Sequence, residues 1–265
     1  MTDYLDKLAK TALETIDSGY YSFDGTSVSP PSFVEAVKSH EGLGLITEVK
    51  PSSPSGGNLI GDKSVTDIVD LYVDAGVTGL SVLTEPVHFG GSLNNLNYAA
   101  QQGLPVLFKD FVLDLVQLKV AQSTGASAVL LILALFERGY AKLNLDDMIQ
   151  AAIDHGLEVL LEVYDSEEYE RALNSKAHMI GINNRDLKTL EVDLTTTKTI
   201  LDQSQKDRMV WSLSGVYNES DLKFLSQCGA DACLIGTSLM KSDDPPALLR
   251  NLLTSTKILK QKMTS

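Results

Sequence analysis

Eight short apolar runs recur along this chain, and they constrain its fold more than any other feature. They are "LGLITEV" (Leu43 to Val49), "GLSVLTE" (Gly79 to Glu85), "LPVLFKD" (Leu104 to Asp110) and "AVLLILA" (Ala128 to Ala134). The second four are "LEVLLEV" (Leu157 to Val163), "HMIGINN" (His178 to Asn184), "RMVWSLS" (Arg208 to Ser214) and "ACLIGTS" (Ala232 to Ser238). Each is rich in aliphatic and β-branched residues and lacks polar alternation, which is how a strand covered on both faces reads.

Helical patterns separate the runs. "SVTDIVDLYVDAG" puts Val65, Ile68, Val69 and Tyr72 on one face, and "LDDMIQAAIDHG" does the same with Leu145, Met148, Ile149, Ala152 and Ile153. Ser64 and Asn144 are placed to cap these helices, and Gly76 and Gly156 to end them. A degenerate repeat supports the alternation: "AGVTGLSVL", "TGASAVLLI" and "CGADACLIG" each run from a helix end into an apolar strand. Eight strands at intervals of roughly 20 to 36 residues match the repeat of a (β/α)8 barrel, the TIM barrel of the α/β class. A doubly wound open sheet is the rival, but it usually has fewer strands.

The first strand begins late. Residues 1–42 read as an N-terminal helical extension and 43–265 as the barrel, together one domain. The extension carries an apolar stripe at helical spacing (Leu5, Leu8, Ala9, Ala12, Leu13, Ile16), then "VSPPS" and a short helix near Phe33 to Lys38. It is expected to pack over one end of the barrel.

Composition narrows the partners. A net charge of -13 argues against nucleic acid or an anionic membrane as partner, since phosphate contact needs clustered Lys and Arg. The two cysteines, Cys228 and Cys233, form no CxxC pair or Cys/His cluster, so no disulfide framework and no metal site are expected. The start "MTDYLDKLAK" has no apolar core of signal-peptide type, and no apolar stretch reaches spanning length. The longest, "AVLLILALF" (Ala128 to Phe136), fits a buried strand. The expected setting is a reducing cytoplasm.

In such a barrel the active site lies at the C-terminal ends of the strands. The polar exceptions in the runs fall there: Glu48 and Lys50 at the first, Lys109 at the third, Glu162 at the fifth and Asn183 at the sixth. Any one of them has a structural explanation: a solvated strand end, an ion-pair member, or a turn stabilised by its own side chain. Five on one rim point to a shared cavity. Carboxylates and ammonium groups held together out of water suit proton transfer, and a lysine among them could instead be a Schiff-base nucleophile. "SGV" (Ser214 to Val216) and "IGTS" (Ile235 to Ser238), after the seventh and eighth runs, offer backbone N–H groups where this fold often binds phosphate.

These residues resemble the indole-3-glycerol phosphate synthase family. The resemblance runs from about Gly44 to Met240 and rests on "EVKPSSPSGG", "SVLTEPVHFGGS", "LFKDF", "LLEV", "GINNRDL" and "CLIGTSLM", in that order. It implies ring closure of 1-(2-carboxyphenylamino)-1-deoxyribulose 5-phosphate with loss of carbon dioxide and water, a carboxy-lyase step of tryptophan biosynthesis. It implies a small phosphorylated substrate, no cofactor and no metal, and the oligomeric expectation is a monomer. By matching motif position, Lys109 resembles the general acid at the ketone oxygen and Glu162 a general base for dehydration. Glu48 and Lys50 resemble a charged pair assisting proton transfer, with Lys50 also near the phosphate. Asn183 and Ser53 match positions that hold substrate hydroxyl and carboxylate groups, and Arg185 one that supports them. Phe89, Phe111 and Leu130 match the apolar pocket for the aromatic ring. Ser214, Gly215, Gly236 and Thr237 match the phosphate loops.

The chain departs from the family at one rim position. Where the family usually has "ESG", this chain reads "SLSGV", so Leu213 takes the glutamate's place. A leucine accepts no proton and balances no lysine. Two alternatives therefore stand beside the synthase reading: a Schiff-base phosphosugar aldolase, and a phosphosugar-binding barrel with impaired catalysis. The aromatic residue often found in the family's N-terminal segment has three candidates here, Tyr4, Tyr20 and Tyr21.

Overall fold

The structure is a computed structural model that describes residues 3–25, 29–54, 56–186 and 189–261, with side chains described as far as residue 256. Val28 of "VSPPS", Ser55 of "EVKPSSPSGG" and Leu187 of "GINNRDL" lie outside the described residues. Each of the eight apolar runs contains a strand: β1 (Gly44–Val49), β2 (Gly79–Leu83), β3 (Val106–Lys109), β4 (Ala128–Ile132), β5 (Glu158–Val163), β6 (Met179–Asn183), β7 (Met209–Leu213) and β8 (Ala232–Ile235). All neighbours pair in parallel, and β1 pairs with both β2 and β8, so the sheet closes on itself. The seam register sets Gly44 opposite Ala232 and Thr47 opposite Ile235. The fold is a (β/α)8 barrel.

The helices are α1 (Tyr4–Asp17), α2 (Phe33–Ser39), α3 (Val65–Ala75), α4 (Leu93–Ala100), α5 (Leu115–Ser123), α6 (Leu133–Glu137), α7 (Leu145–Asp154), α8 (Ser166–Leu173), α9 (Thr195–Gln203), α10 (Glu219–Gln227), α11 (Thr237–Met240) and α12 (Pro245–Gln261). Ser64 caps α3 by accepting from Asp67 N–H, and Asn144 caps α7 by accepting from Asp147 N–H. Ile68, Val69 and Tyr72 of α3 and Met148, Ile149 and Ala152 of α7 are buried, so the helical spacing gave the correct inward faces.

Two runs end sooner than their composition suggests. "AVLLILALF" leaves the strand at Ile132 and turns into α6. Leu and Ala are strong helix formers, and a continuous apolar run looks the same whether it is a buried strand or a buried helix. "ACLIGTS" likewise stops at Ile235 and enters the short turn α11.

Alternation along each strand splits the core in two. Leu45, Leu80, Val82, Val129, Leu161, Ile182 and Cys233 face the helix layer, while Ile46, Leu107, Leu130, Leu160, Trp211 and Leu234 fill the barrel. The extension was expected over one end, and it covers both. Phe33 of α2 packs its ring edge-on to Trp211 at 5.1 Å and closes the N-terminal end of the barrel. Glu158, at the start of β5, accepts the N–H of Phe33 at 2.7 Å and so fixes that helix. α1 lies instead beside the C-terminal mouth, where Tyr4 and Leu8 line the same cavity as the strand ends.

Among the described residues, no helix is long and apolar enough to cross a membrane.

Candidate active site

The inward parity of β1, β3, β5 and β6 carries one polar residue from each to the mouth. Ile46 and Glu48, Leu107 and Lys109, Leu160 and Glu162, and Gly181 and Asn183 are successive inward positions, two residues apart. Glu48, Lys50, Lys109, Glu162 and Asn183 all line one cavity. Ser53, Phe89, Phe111, Leu130, Arg185, Ser214, Gly215, Gly236 and Thr237 line it too, so every site residue read from the sequence meets there.

Glu48 and Lys50 form an ion pair at 2.7 Å with most of both side chains shielded from water. Burial pushes the Glu48 carboxyl up, but the charges of Lys50, Lys109 and Arg185 outweigh it and hold the group below the usual carboxylate range. Glu48 lies flat against Gly236: a Cβ there would come within 2.8 Å of Glu48 Oε1. The glycine after β8 is therefore required by close approach, in addition to any role toward an anion.

Glu162 accepts a hydrogen bond from Asn183 Nδ2 at 2.9 Å, and Asn183 Oδ1 accepts from Arg185 N at 3.0 Å. Arg185 in turn donates to the carbonyl of Leu190 at 2.8 Å, which ties it to another residue lining the cavity. The Lys109 ammonium takes no hydrogen bond or ion pair among the described residues and faces the cavity from the end of β3.

One wall is apolar. Phe89 and Phe111 stand with ring centroids 6.1 Å apart, beside buried Leu130. Glu85 holds the loop that carries Phe89, accepting the N–H groups of Val87, His88 and Phe89. Leu213 extends this wall: it is 2% exposed and leans over Gly181, where a Cβ would meet Leu213 Cδ1 at 2.7 Å. Ser53 is buried, and its Oγ accepts from Gly56 N–H at 3.0 Å, which leaves its own proton to donate.

The loop after β7 is held from behind by Asn184, which the sequence reading passed over. Its Nδ2 lies within 2.8 to 3.0 Å of Ser212 Oγ and the carbonyls of Leu213 and Ser214, and its Oδ1 accepts from Thr197. Ser214 adopts a left-handed conformation (φ 65°), which disfavours a side chain with a Cβ by about 1–2 kcal/mol. Asn184 supplies the anchoring that keeps it there. The signal was present in "NNRD", but a second asparagine beside a site residue reads as turn chemistry.

Of the three N-terminal tyrosines, only Tyr4 lines the cavity. Tyr20 and Tyr21 bond instead to Thr84 and Asp110 behind the strand ends. Leu190 and Tyr217 line the cavity without having been singled out, because isolated residues in a loop carry no distinguishing pattern; Leu8 of the N-terminal stripe and Asp110 line it as well.

The family model for Indole-3-glycerol phosphate synthase matches residues 7–252. The indole-3-glycerol phosphate synthase of Methanocaldococcus jannaschii is 41% identical over 202 residues, covering 76% of this chain and 74% of its own. That of Methanothermobacter marburgensis is 36% identical over 251 residues, covering 95% and 87%. A Staphylococcus aureus protein of the same name is 33% identical over 255 residues, covering 94% and 96%. Among solved structures, a thiamine phosphate pyrophosphorylase from Pyrococcus furiosus superposes with a TM-score of 0.59 at 14% identity, covering 82% of this chain and 96% of its own. That likeness establishes the barrel alone.

Proposed function

The chain belongs to the indole-3-glycerol phosphate synthase family, carboxy-lyases of tryptophan biosynthesis, and from that premise we propose how its cavity closes the indole ring. The substrate is 1-(2-carboxyphenylamino)-1-deoxyribulose 5-phosphate. Its phosphate sits against Ser214, Gly215, Gly236 and Thr237, with Lys50 close by. Its aromatic ring lies on Phe89, Phe111 and Leu130. Anchoring both ends spends binding energy on aligning the ring carbon with the sugar ketone.

Lys109 delivers a proton to the ketone oxygen as the ring carbon attacks and the carbon–carbon bond forms. The carboxylate then leaves as carbon dioxide, and its bonding electrons restore the aromatic ring. Glu162 removes a proton from the sugar carbon bonded to nitrogen, and the Glu48–Lys50 pair passes a proton to the hydroxyl, which departs as water and completes the indole. Asn183 orients Glu162 and, with Ser53, holds substrate hydroxyl and carboxylate groups. Arg185 supports that arrangement. Glu48 holds Lys50 in place.

The observation that supports this reading most is the gathering of Lys109, Glu162 and the Glu48–Lys50 pair in one cavity with the small-residue loops after β7 and β8. Its test is indole fluorescence on incubation with the anthranilate-derived phosphosugar. No signal from folded protein at saturating substrate would sink it.

Leu213 favours a second reading, a barrel that binds the phosphosugar but turns it over slowly. Phosphate-competitive binding without fluorescence would support that one. We also take residues 43–265 as one barrel domain with 1–42 as its extension, working as a monomer in the cytoplasm on this small phosphorylated substrate.

A further inference from the structure

Lys109 is followed by a buried acid that the scheme above leaves unused. Asp110 is 3% exposed and sits where β3 ends. Its Oδ1 accepts the hydroxyl of Tyr21 at 3.0 Å and the N–H of Phe111 at 2.8 Å. Its Oδ2 accepts the hydroxyl of Thr84 at 2.6 Å. Thr84 N–H in turn donates to the carbonyl of Lys109 at 3.1 Å, and Tyr20 donates its hydroxyl to the carbonyl of Thr84 at 3.0 Å. One carboxylate thus binds three chain segments: the end of β3, the loop after β2, and the stretch that follows α1. Tyr21 and Thr84 are also buried, so water does not compete for these bonds.

We propose that Asp110 is a positioning residue, fixing the backbone turn that aims Lys109 and Phe111 into the cavity and coupling it to the N-terminal segment through Tyr21. The inference rests on the assignment of Lys109 as proton donor. The residues on either side of Asp110 both line the cavity, one as the ammonium and one as an aromatic wall, so a tilt of this turn moves both. A misplacement of about 1 Å can cost on the order of 100-fold in rate. Three acceptor contacts on one carboxylate leave that turn little freedom. Gln117 of α5 continues the restraint, donating to the carbonyl of Phe111 at 2.9 Å and accepting from Leu113 N–H at 2.8 Å.

The arrangement has a built-in dependence on protonation. Burial pushes Asp110 up to about 7, against the hydrogen bonds from Thr84, Phe111 and Tyr21 that lower it, and the nearby charge of Glu85 raises it further. Tyr21 and Tyr20 are the other titratable groups facing it, and both are pushed up by burial and by the Asp110 charge. Protonation turns one of Asp110's acceptor oxygens into a donor, so its bonds to Thr84 and Tyr21 must rearrange as pH falls through neutrality.

The experiment compares Tyr21→Phe, Asp110→Asn and Lys109→Ala in the full chain, using indole fluorescence on the anthranilate-derived phosphosugar across pH. Tyr21→Phe deletes one hydroxyl and keeps the ring. It is expected to lower kcat about 10-fold with KM within about twofold, and to move the acid limb of the kcat profile to higher pH, because the carboxylate loses a donor. Asp110→Asn is expected to lower kcat further and to flatten that limb. Circular dichroism and thermal melts confirm folding. If Asp110→Asn fails to fold, Tyr21→Phe decides alone. Unchanged kcat in folded Tyr21→Phe, or kcat and KM impaired in equal proportion with the limb unmoved, overturns the proposal while Lys109→Ala remains inactive. Full activity in Lys109→Ala overturns the proton-donor assignment and the proposal with it.

Discussion

Asn183 donates its Nδ2 to Glu162 Oε1 at 2.9 Å across the adjacent ends of β5 and β6. The bond leaves Glu162 a fixed orientation toward the cavity without neutralising it, because an amide carries no charge. Asn183→Ala frees the carboxylate to rotate. We expect kcat to fall by about 10- to 100-fold, with a smaller change in KM, in steady-state fluorescence assays. Equal kcat in the variant would show that Glu162 needs no such partner.

Lys109→Ala removes the cavity's ammonium on β3. The loss is expected to lie near the upper end of the ~100- to 10,000-fold range for general acid catalysis, with the melting temperature almost unchanged. Single-turnover kinetics locate the defect: ring closure slows while substrate still binds.

Gly236→Ala forces a methyl group to within 2.8 Å of Glu48 Oε1. Glu48 must shift, and the 2.7 Å contact with Lys50 opens. The expected result is a rise in KM of about 10-fold, roughly the tenfold change that 1.4 kcal/mol of lost binding produces. Titration with inorganic phosphate, followed by competitive inhibition, reports the same site without the chemistry.

Leu213→Glu places a carboxylate where the barrel now presents an apolar wall. Burying it is expected to destabilise the fold by about 1–3 kcal/mol. The same change is expected to raise kcat about 10-fold by adding a proton acceptor at the mouth. Thermal melts read the first effect and initial rates the second. A folded variant with unchanged or lower kcat would remove Leu213 as the source of any impairment.

Stability should fall as pH rises from about 4 through 7. Burial pushes Asp110 and Glu168 up to about 7. Each therefore keeps its proton in the folded chain after the unfolded chain has lost it, so the folded state binds more protons between about pH 4 and 7 and loses that advantage as pH rises through 7. Urea midpoints are expected to be higher at pH 5.5 than at pH 8, and Glu168→Gln should narrow the gap. A gap of the same size in Glu168→Gln would exclude that residue as a contributor.

The barrel was legible because eight buried strands leave eight uniform apolar runs, and because Ser64, Asn144, Gly76 and Gly156 mark helix ends by local chemistry. The rim was legible because a charge at the end of an apolar run is conspicuous. What escaped was set by distant contact. Nothing in "LALFE" distinguishes α6 from a longer strand. Nothing in the first forty residues says that α2 goes beneath the barrel while α1 lies at its mouth, since both carry ordinary apolar stripes. Asn184 and Asp110 were overshadowed by the neighbours that point into the cavity, although both are more than nine-tenths buried.

The pairing of β1 with β8 has a consequence for biosynthesis. Glu48 and Lys50 belong to the barrel's first strand segment, and Gly236, against which Glu48 rests, follows its eighth strand. A nascent chain halted before residue 232 has seven staves of the cask and no hoop, so its anion cradle is unfinished and Glu48 lacks the backbone it rests against. Competence for turnover should therefore arrive abruptly, once β8 has been made, rather than growing with each added strand.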